Sequence, residues 1–316
     1  MRHGIAAAVH PFGGRIRITA FSSPSWTWLL SVEGHEHSRR VQQAAAGGDG
    51  AGIEAAFVTA AERLTQLPWD QAAASVRFED VAPVSAFPVV PGRRWGPGWW
   101  WSATTGRHVV HGSAVMRTQL MVLDRNPDVT GLAARPVRLL WRDTDGRVRS
   151  WVPQLFARYA DGTGLLADCP SSPAVGGDGA QRARMVLEAA CARVGWSYRR
   201  LEPPPPVVAA NLRWLAGYRH PRYQGPPGLR AALAEAFVGL RPLADGAAAV
   251  GDPLQVLPAV YHALWCGHLT TPLDEPLHEE TLVCADAERG GRGASKSVWA
   301  PGGGRGRGER SGRHTR

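Results

Sequence analysis

The chain has 316 residues, 44% of them hydrophobic, with 37 glycines and 25 prolines. That apolar content excludes wholesale disorder, and the glycine and proline predict many loops and short elements; the length suits two modest domains or one domain with appendages. The net charge of +9 favours polyanionic partners, nucleic acid first, although an arginine-rich solubilising surface would carry the same charge.

Cys169, Cys191, Cys266 and Cys284 form no CxxC pair, so a structural zinc site is not expected. The start, MRHGIAAAVHPFGG, has no apolar run of signal-peptide length, and no stretch approaches the ~18 uncharged apolar residues of a membrane span. The expectation is a cytoplasmic protein with reduced thiols and no membrane contact.

In chain order, residues 1–52 read as a poorly ordered segment. It has scattered strand formers (Ile16, Ile18, Phe21, Trp26, Trp28) and an Ala/Gly-rich linker at 42–52. Ile53, Ala56, Phe57, Ala60, Leu64 and Leu67 fall at helical spacing, and Pro68 would end that helix. Residues 81–97 are proline-punctuated and extended. Trp99–Trp101 leads through the turn Thr104-Thr105-Gly106 to His108–His111, after which Ser113 can cap a helix carrying Met116, Leu120, Met121 and Leu123. A strand at 137–141, a turn at Asp143–Gly146 and a return strand at 148–156 follow. Asp161-Gly162 is a second tight turn, leading to a strand at 165–167. Residues 180–194 are an amphipathic helix with Met185, Ala189 and Val194 inward, and 196–201 is the last strand of this unit. The order is helix, three strands, helix, strand, in a domain spanning 53–202.

Prolines 203–206 predict a stiff spacer. Helices at 207–216, 229–240 and 254–265 follow, and 269–271 can pair with 281–284. Helices ending in a small hairpin suggest a winged-helix-like unit over 207–284. From 285 to 316 the chain is Gly/Arg/Ser-rich, with eight basic and three acidic residues, and reads as a disordered basic tail.

Three segments, WSATTGRHVVHGS (101–113), RVRSWVPQLFARYADGTGLLADCP (147–170) and NLRWLAGYRHP (211–221), with LPAVYHALWCGHLTTPL (257–273) in agreement, resemble TnsA-type endonuclease subunits of heteromeric transposases. The resemblance covers about 87–283 and lies in the ordered set rather than in any one motif. It implies an α/β (α+β) fold: a restriction-endonuclease-like mixed sheet flanked by helices, of the PD-(D/E)xK kind, followed by a small winged-helix-like domain. Active members nick DNA at a transposon end, with carboxylates holding divalent cations that activate water and stabilise charge at phosphorus. The resemblance implies a Ser-x-x-Glu helix start, a Pro-Asp strand start and a lysine-proline pair. Here Met116 stands for the glutamate, Gln154 for the aspartate and Cys169 for the lysine, in a chain whose only lysine is Lys296. Methionine cannot hold Mg²⁺, glutamine is neutral, and a thiol offers no ammonium.

The expectation is therefore a noncatalytic subunit that needs no cofactor and binds DNA, a transposase or an AAA-type ATPase. Mg²⁺ would enter only if the site were rebuilt, making the chain an active endonuclease; Asp168 is the one candidate for a migrated ligand. A domesticated protein-interaction scaffold is the third reading. Asp143, Asp145 and Asp161 have glycine neighbours and read as turn residues. Cys169 could be a nucleophile but lacks a signature and reads as an inert thiol. His108 and His111, three apart on a strand, face opposite sides. Trp99–Trp101 could stack on bases but fit core packing better. Arg213, Arg219, His220 and Arg222 gather donors at a helix end, as candidates for phosphate contact or as cations capping the dipole.

Overall fold

A computed structural model describes residues 52–88, 96–170 and 178–286. The strand formers before residue 50, nearly all of the Ala/Gly linker and the tail beyond Asp286 lie outside them. The described part is α+β, its sheets mostly antiparallel.

The first segment corrects the reading of residues 53–67 as a helix. It is a hairpin of Glu54–Val58 (β1) and Leu64–Pro68 (β2). Its turn is closed by Thr59 N–H on Arg63 O and Glu62 N–H on Thr59 O, both 2.9 Å, with Glu62 left-handed at φ 57°. The spacing misleads because β1 is a central strand buried on both faces: Ala55 and Phe57 enter one cluster and Ala56 another. Such a strand shows an unbroken apolar run without period two. Pro68 ends β2, and Trp69–Ser75 (α1) begins immediately.

Gly98–Trp101 (β3) and His108–His111 (β4) form the expected hairpin, with Gly106 at φ 64° in its turn. Ala114–Arg125 (α2) starts at Ser113, whose Oγ accepts the Met116 N–H at 3.1 Å. Val129–Ala134 (β5), not expected, follows. Arg138–Arg142 (β6) and Val148–Trp151 (β7) make the Asp143–Gly146 hairpin. They join β1 and β2 in a sheet ordered β2-β1-β6-β7.

The return strand expected over 148–156 is two strands in two sheets. The ladder stops at Trp151, Pro153 has no N–H to continue it, and the chain crosses into Leu155–Tyr159 (β8). Gly164–Asp168 (β9), Asp178–Arg193 (α3) and Ser197–Arg200 (β10) complete a sheet ordered β10-β9-β8-β5, with β10 parallel to β9. From α2 to β10 the order is one helix, three antiparallel strands with the β6–β7 excursion inserted, a helix and a parallel strand; the strand expected at 137–141 is β6, in the other sheet, and the unexpected β5 stands among the three in its place. This sheet is buried on both sides. Phe156 and Leu166 pack toward α3, whereas Leu155, Ala157, Leu165 and Ala167 pack toward α2. The inward face of α3 is Ala183, Leu187, Ala190 and Cys191, while Met185 is 62% exposed and Ala189 is exposed too, which corrects the expected face. Val194, just beyond, is half-buried against that cluster as expected.

Pro205 and Pro206 cap and open Pro206–Ala216 (α4), the position where a missing N–H costs nothing. After a short 3-10 turn at Pro221–Tyr223 come Leu229–Ala236 (α5), Arg241–Pro242 (β11), Leu243–Val250 (α6), Pro253–Cys266 (α7), Leu269–Thr270 (β12) and Leu282–Ala285 (β13). Helix α6 was not expected, and α5 stops four residues short of the expected 240 because Phe237 turns inward and is fully buried. The β12–β13 pairing is as expected, and β11 adds a third strand in the order β11-β13-β12. One buried cluster contains Met116 and Leu120 of α2, Leu212 and Leu215 of α4 and Val260 and Trp265 of α7, so a single core runs across the proline segment. Among the described residues no helix is long and apolar enough to cross a membrane.

Gly246 tests how tightly the C-terminal helices pack. A Cβ there would lie 2.0 Å from Phe237 Cζ. Alanine inside a helix gains about 1 kcal/mol of propensity, but overpacking costs about 1–3 kcal/mol, and Phe237 is fully buried with nowhere to move. Gly246→Ala is therefore expected to lower the urea midpoint; an unchanged or higher midpoint would show that Phe237 can retreat.

Candidate functional site

Two of the three positions that the resemblance sets against nuclease residues meet. Gln154 lies in the break between β7 and β8, and its Oε1 accepts the backbone N–H of Cys169, just past β9, at 2.9 Å. Met116 is fully buried in the first turn of α2, its Sδ accepting the Gly112 N–H at 3.3 Å. It belongs to the same buried cluster as Leu155, Ala167 and Cys169. The thioether is a soft ligand, the Gln154 carbonyl is already used, and burial pushes the Cys169 thiol far above the ordinary range, with Asp168 adding to the effect. Cys169 is thus a neutral, inert core residue.

Asp168 is closed off by donors. Its Oδ1 accepts from Gln154 N at 3.1 Å, and its Oδ2 from Trp151 Nε1 at 2.7 Å and the Tyr198 hydroxyl at 2.5 Å. Burial raises its pKa, against the opposing pull of these bonds and of Arg200. Burial also raises the Tyr198 phenol, with the facing carboxylate as the next cause. The carboxylate ties β7, the β7–β8 break and β10 to the end of β9. A divalent cation would need several hard oxygens in an open arc, and here both oxygens face N–H and O–H groups. The residues present do not fit a catalytic metal, and among the described residues no group of three or more His, Cys, Asp or Glu could hold one. Asp143, Asp145 and Asp161 are turn residues as expected, accepting from Thr144, Arg147 and Thr163 backbone N–H groups.

The candidates for phosphate contact divide. Arg219 is half-buried: its guanidinium lies 4.0 Å from the Trp100 ring centre, its Nε donates to Trp101 O at 2.8 Å and its Nη1 to Ala216 O at 2.5 Å. His220 stacks on Trp101 at 4.7 Å and accepts the Arg222 N–H on Nδ1. Arg219 is committed to the fold, leaving Arg213 and Arg222 as the exposed arginines of the set. Of the tryptophans, Trp100 is core, Trp101 is covered by His220 and Trp99 is exposed. His108 is exposed and His111 buried, as strand geometry requires.

The residue that sequence reasoning missed is Asp124. Buried in the last turn of α2, it accepts from Trp100 Nε1 (3.0 Å), Ser102 Oγ (2.6 Å), Ala103 N (3.0 Å) and Thr104 N (2.9 Å). An acid at a helix C-terminus opposes the dipole, and that wrong-sign placement was the available signal that donors converge on it. No protein-family model matches the chain, and no curated protein sequence matches it.

Asp168→Asn would turn an acceptor into an N–H₂ facing N–H and O–H donors. The expected loss is about 1–3 kcal/mol in urea unfolding, while Mg²⁺ leaves the wild-type Tm unchanged; a Mg²⁺-dependent rise in Tm would reveal a ligand set. For His111, burial first and then Arg117 lower the pKa from 6.5. The unfolded chain therefore binds the extra proton first, so stability is full above about pH 6.5 and falls as pH drops through the window beneath it. His111→Gln is expected to flatten the decline in urea midpoint between about pH 7.5 and about pH 5.5; an equal decline in both proteins would place the titrating group elsewhere.

Proposed function

We propose that the chain is a noncatalytic subunit of the TnsA-like class, a transposition accessory protein that uses a nuclease-type scaffold to bind DNA and a transposase or ATPase partner in the cytoplasm. The observation that carries the reading is the state of the site. In an element order of helix, three antiparallel strands interrupted by the β6–β7 hairpin of the other sheet, helix and parallel strand, which is compatible with a restriction-endonuclease-like unit, the positions of the expected catalytic residues hold a buried thioether, an amide and a buried thiol. The neighbouring carboxylate is sealed by Trp151, Tyr198 and the Gln154 backbone. The order α5-β11-α6-α7-β12-β13, with β13 central in its sheet, supports a winged-helix-like second unit.

The charge of that second unit favours a protein partner for it. Helix α7, the third helix, carries no lysine or arginine, and half of its residues, Val256 through Trp265 on its inner face, are buried. The loop between β12 and β13 exposes Asp274, Glu275, Glu279 and Glu280, and Asn211 holds it against α4 through Leu273 O, Glu275 O and Leu277 N. Duplex DNA would be repelled by such a loop. On this reading DNA contact falls to Arg213, Arg222 and the basic tail, and the acidic loop meets protein. The interaction-scaffold reading shares that observation, and only DNA binding separates the two.

The test is incubation of the full chain with supercoiled plasmid in Mg²⁺ or Mn²⁺, alongside DNA titrations at several salt concentrations. No nicked or linear product above background is expected. Arg213→Ala with Arg222→Ala should weaken binding and reduce the slope of log K against log salt by about one per cation removed. Cleavage abolished by Asp168→Ala would overturn the noncatalytic reading, and absence of any DNA binding would leave the scaffold.

A further inference from the structure

The four thiols sit in different surroundings. Cys169 and Cys191 are buried, and burial pushes the Cys191 thiol up to about 12. Cys284 is half-buried on β13, with its sulfur 3.3 Å from the Thr270 hydroxyl. Cys266, the last residue of α7, is also half-buried, and its Sγ lies 3.6 Å from Nε2 of His262, one helical turn earlier. The tautomer of that histidine is fixed by its other nitrogen. Nδ1 is 2.8 Å from the Tyr218 carbonyl oxygen, which can only accept, so Nδ1 carries the proton and Nε2 presents a lone pair to the sulfur. His262 is buried, and the pair lines a cavity of about 220 Å³ between α5 and α7, with Arg230, Gln224 and His268 in its wall.

We propose that Cys266 is a reactive thiol activated by His262, and that the cavity takes small anionic disulfides. A nucleophile, a base within reach of it and a third group orienting the base are the elements that raise thiolate character. With Arg230 among the lining residues, the cavity wall carries a cation that favours a carboxylate-bearing reagent. In the reaction the Cys266 proton passes to His262 Nε2. The thiolate attacks one sulfur of the disulfide, its S–S bond breaks, and a mixed disulfide forms on Cys266. The departing thiolate takes the proton back from His262 and leaves as a thiol. Cys266 is oxidised, the departing sulfur is reduced, and the imidazole returns to its starting state.

One feature of α7 works the other way, since a helix C-terminus disfavours a nearby anion. Here its end is partly neutralised. His268 N–H caps Ala263 O at 2.9 Å, and Arg125 places a guanidinium N–H on Leu264 O at 3.1 Å. The charged and titratable residues placed near the pair include Arg230 from α5, Arg125 from α2, His268, Tyr218, whose carbonyl holds His262, and Asp286, whose backbone N–H donates to His268 O. The proposal is independent of the nuclease-type reading and stands or falls separately from it.

The experiment treats the folded full chain with dithiobis-nitrobenzoate, a dianionic aromatic disulfide, and with neutral dithiodipyridine, and locates the modified cysteine by peptide mass spectrometry. Cys266 is expected to react about tenfold or more faster than Cys284, and its rate to rise at lower pH than that of Cys284. His262→Gln should remove the advantage. Arg230→Gln should slow the anionic reagent while leaving the neutral one unchanged. The pH profile of the wild-type protein needs no variant and decides the matter even if His262→Gln misfolds. Equal or slower reaction at Cys266, or a Cys266 profile coincident with that of Cys284, would overturn the proposal.

Discussion

The architecture turns on one buried carboxylate. Asp124 gathers a tryptophan N–H, a serine hydroxyl and two backbone N–H groups at the C-terminus of α2, and thereby fixes the β3–β4 hairpin to the helix. Trp100, oriented by that bond, then presents its ring to Arg219 beyond α4 and to Trp265 of α7, the latter at 6.3 Å between ring centres. The next residue of the helix, Arg125, donates to Leu264 O of α7. Chain segments separated by more than a hundred positions are thus joined through two successive residues. Removing the carboxylate would strand four donors in a low-dielectric interior, where each unsatisfied group costs about 1–3 kcal/mol. The prolines at 203–206 consequently lead into a second unit that shares the core of the first.

Asp168 repeats the device on the other side of the sheet. It too sits at the end of an element and is saturated by an indole, a phenol and a backbone N–H. Both carboxylates hold together segments of different sheets or helices. Neither has a free oxygen arc for an ion. In a nuclease the same kind of residue faces solvent and shares its oxygens with a metal. Here the oxygens of both acids are taken up by protein donors instead.

Hairpins and caps were legible because their chemistry is local. Asp143 to Gly146, Asp161-Gly162 and Ser113 carry their own turn and cap signals, and each does what its residues predict. The misses share a different cause. β1 is buried on both faces, so its apolar residues show no alternation. β5 contains Gly131 at a bulge, close against Glu79 and Arg158, and reads as a loop until the sheet supplies its partner. The inward face of α3 is built largely from alanine and cysteine, and a long methionine on the outer face outweighed them in the spacing. α6 holds a glycine mid-helix that is explained only by the Phe237 ring across from it. For the site, the tight turn at Asp161-Gly162 pairs β8 with β9 and so brings Gln154 beside Cys169. The partners of Asp124 and Asp168 come together through space, and no spacing encodes them.

The core also makes a metal site hard to build at these positions. Met116 is fully buried, and Cys169 lies in the same apolar cluster with Leu155 and Ala167. Burying a methionine side chain contributes roughly 1.5–3 kcal/mol, and a carboxylate in its place would be desolvated with no cation to face. Such a group takes up a proton instead of staying charged, and a neutral acid is a poor Mg²⁺ ligand. Converting Gln154 to the shorter aspartate would moreover pull the acceptor back from the Cys169 N–H. Met116 and Cys169 are part of the packing that holds α2 on the sheet. The triple change Met116→Glu, Gln154→Asp and Cys169→Lys is therefore expected to lower stability before it recruits metal. A triple variant that kept its wild-type urea midpoint and gained a Mg²⁺-dependent rise in Tm would show instead that these three positions can hold a metal.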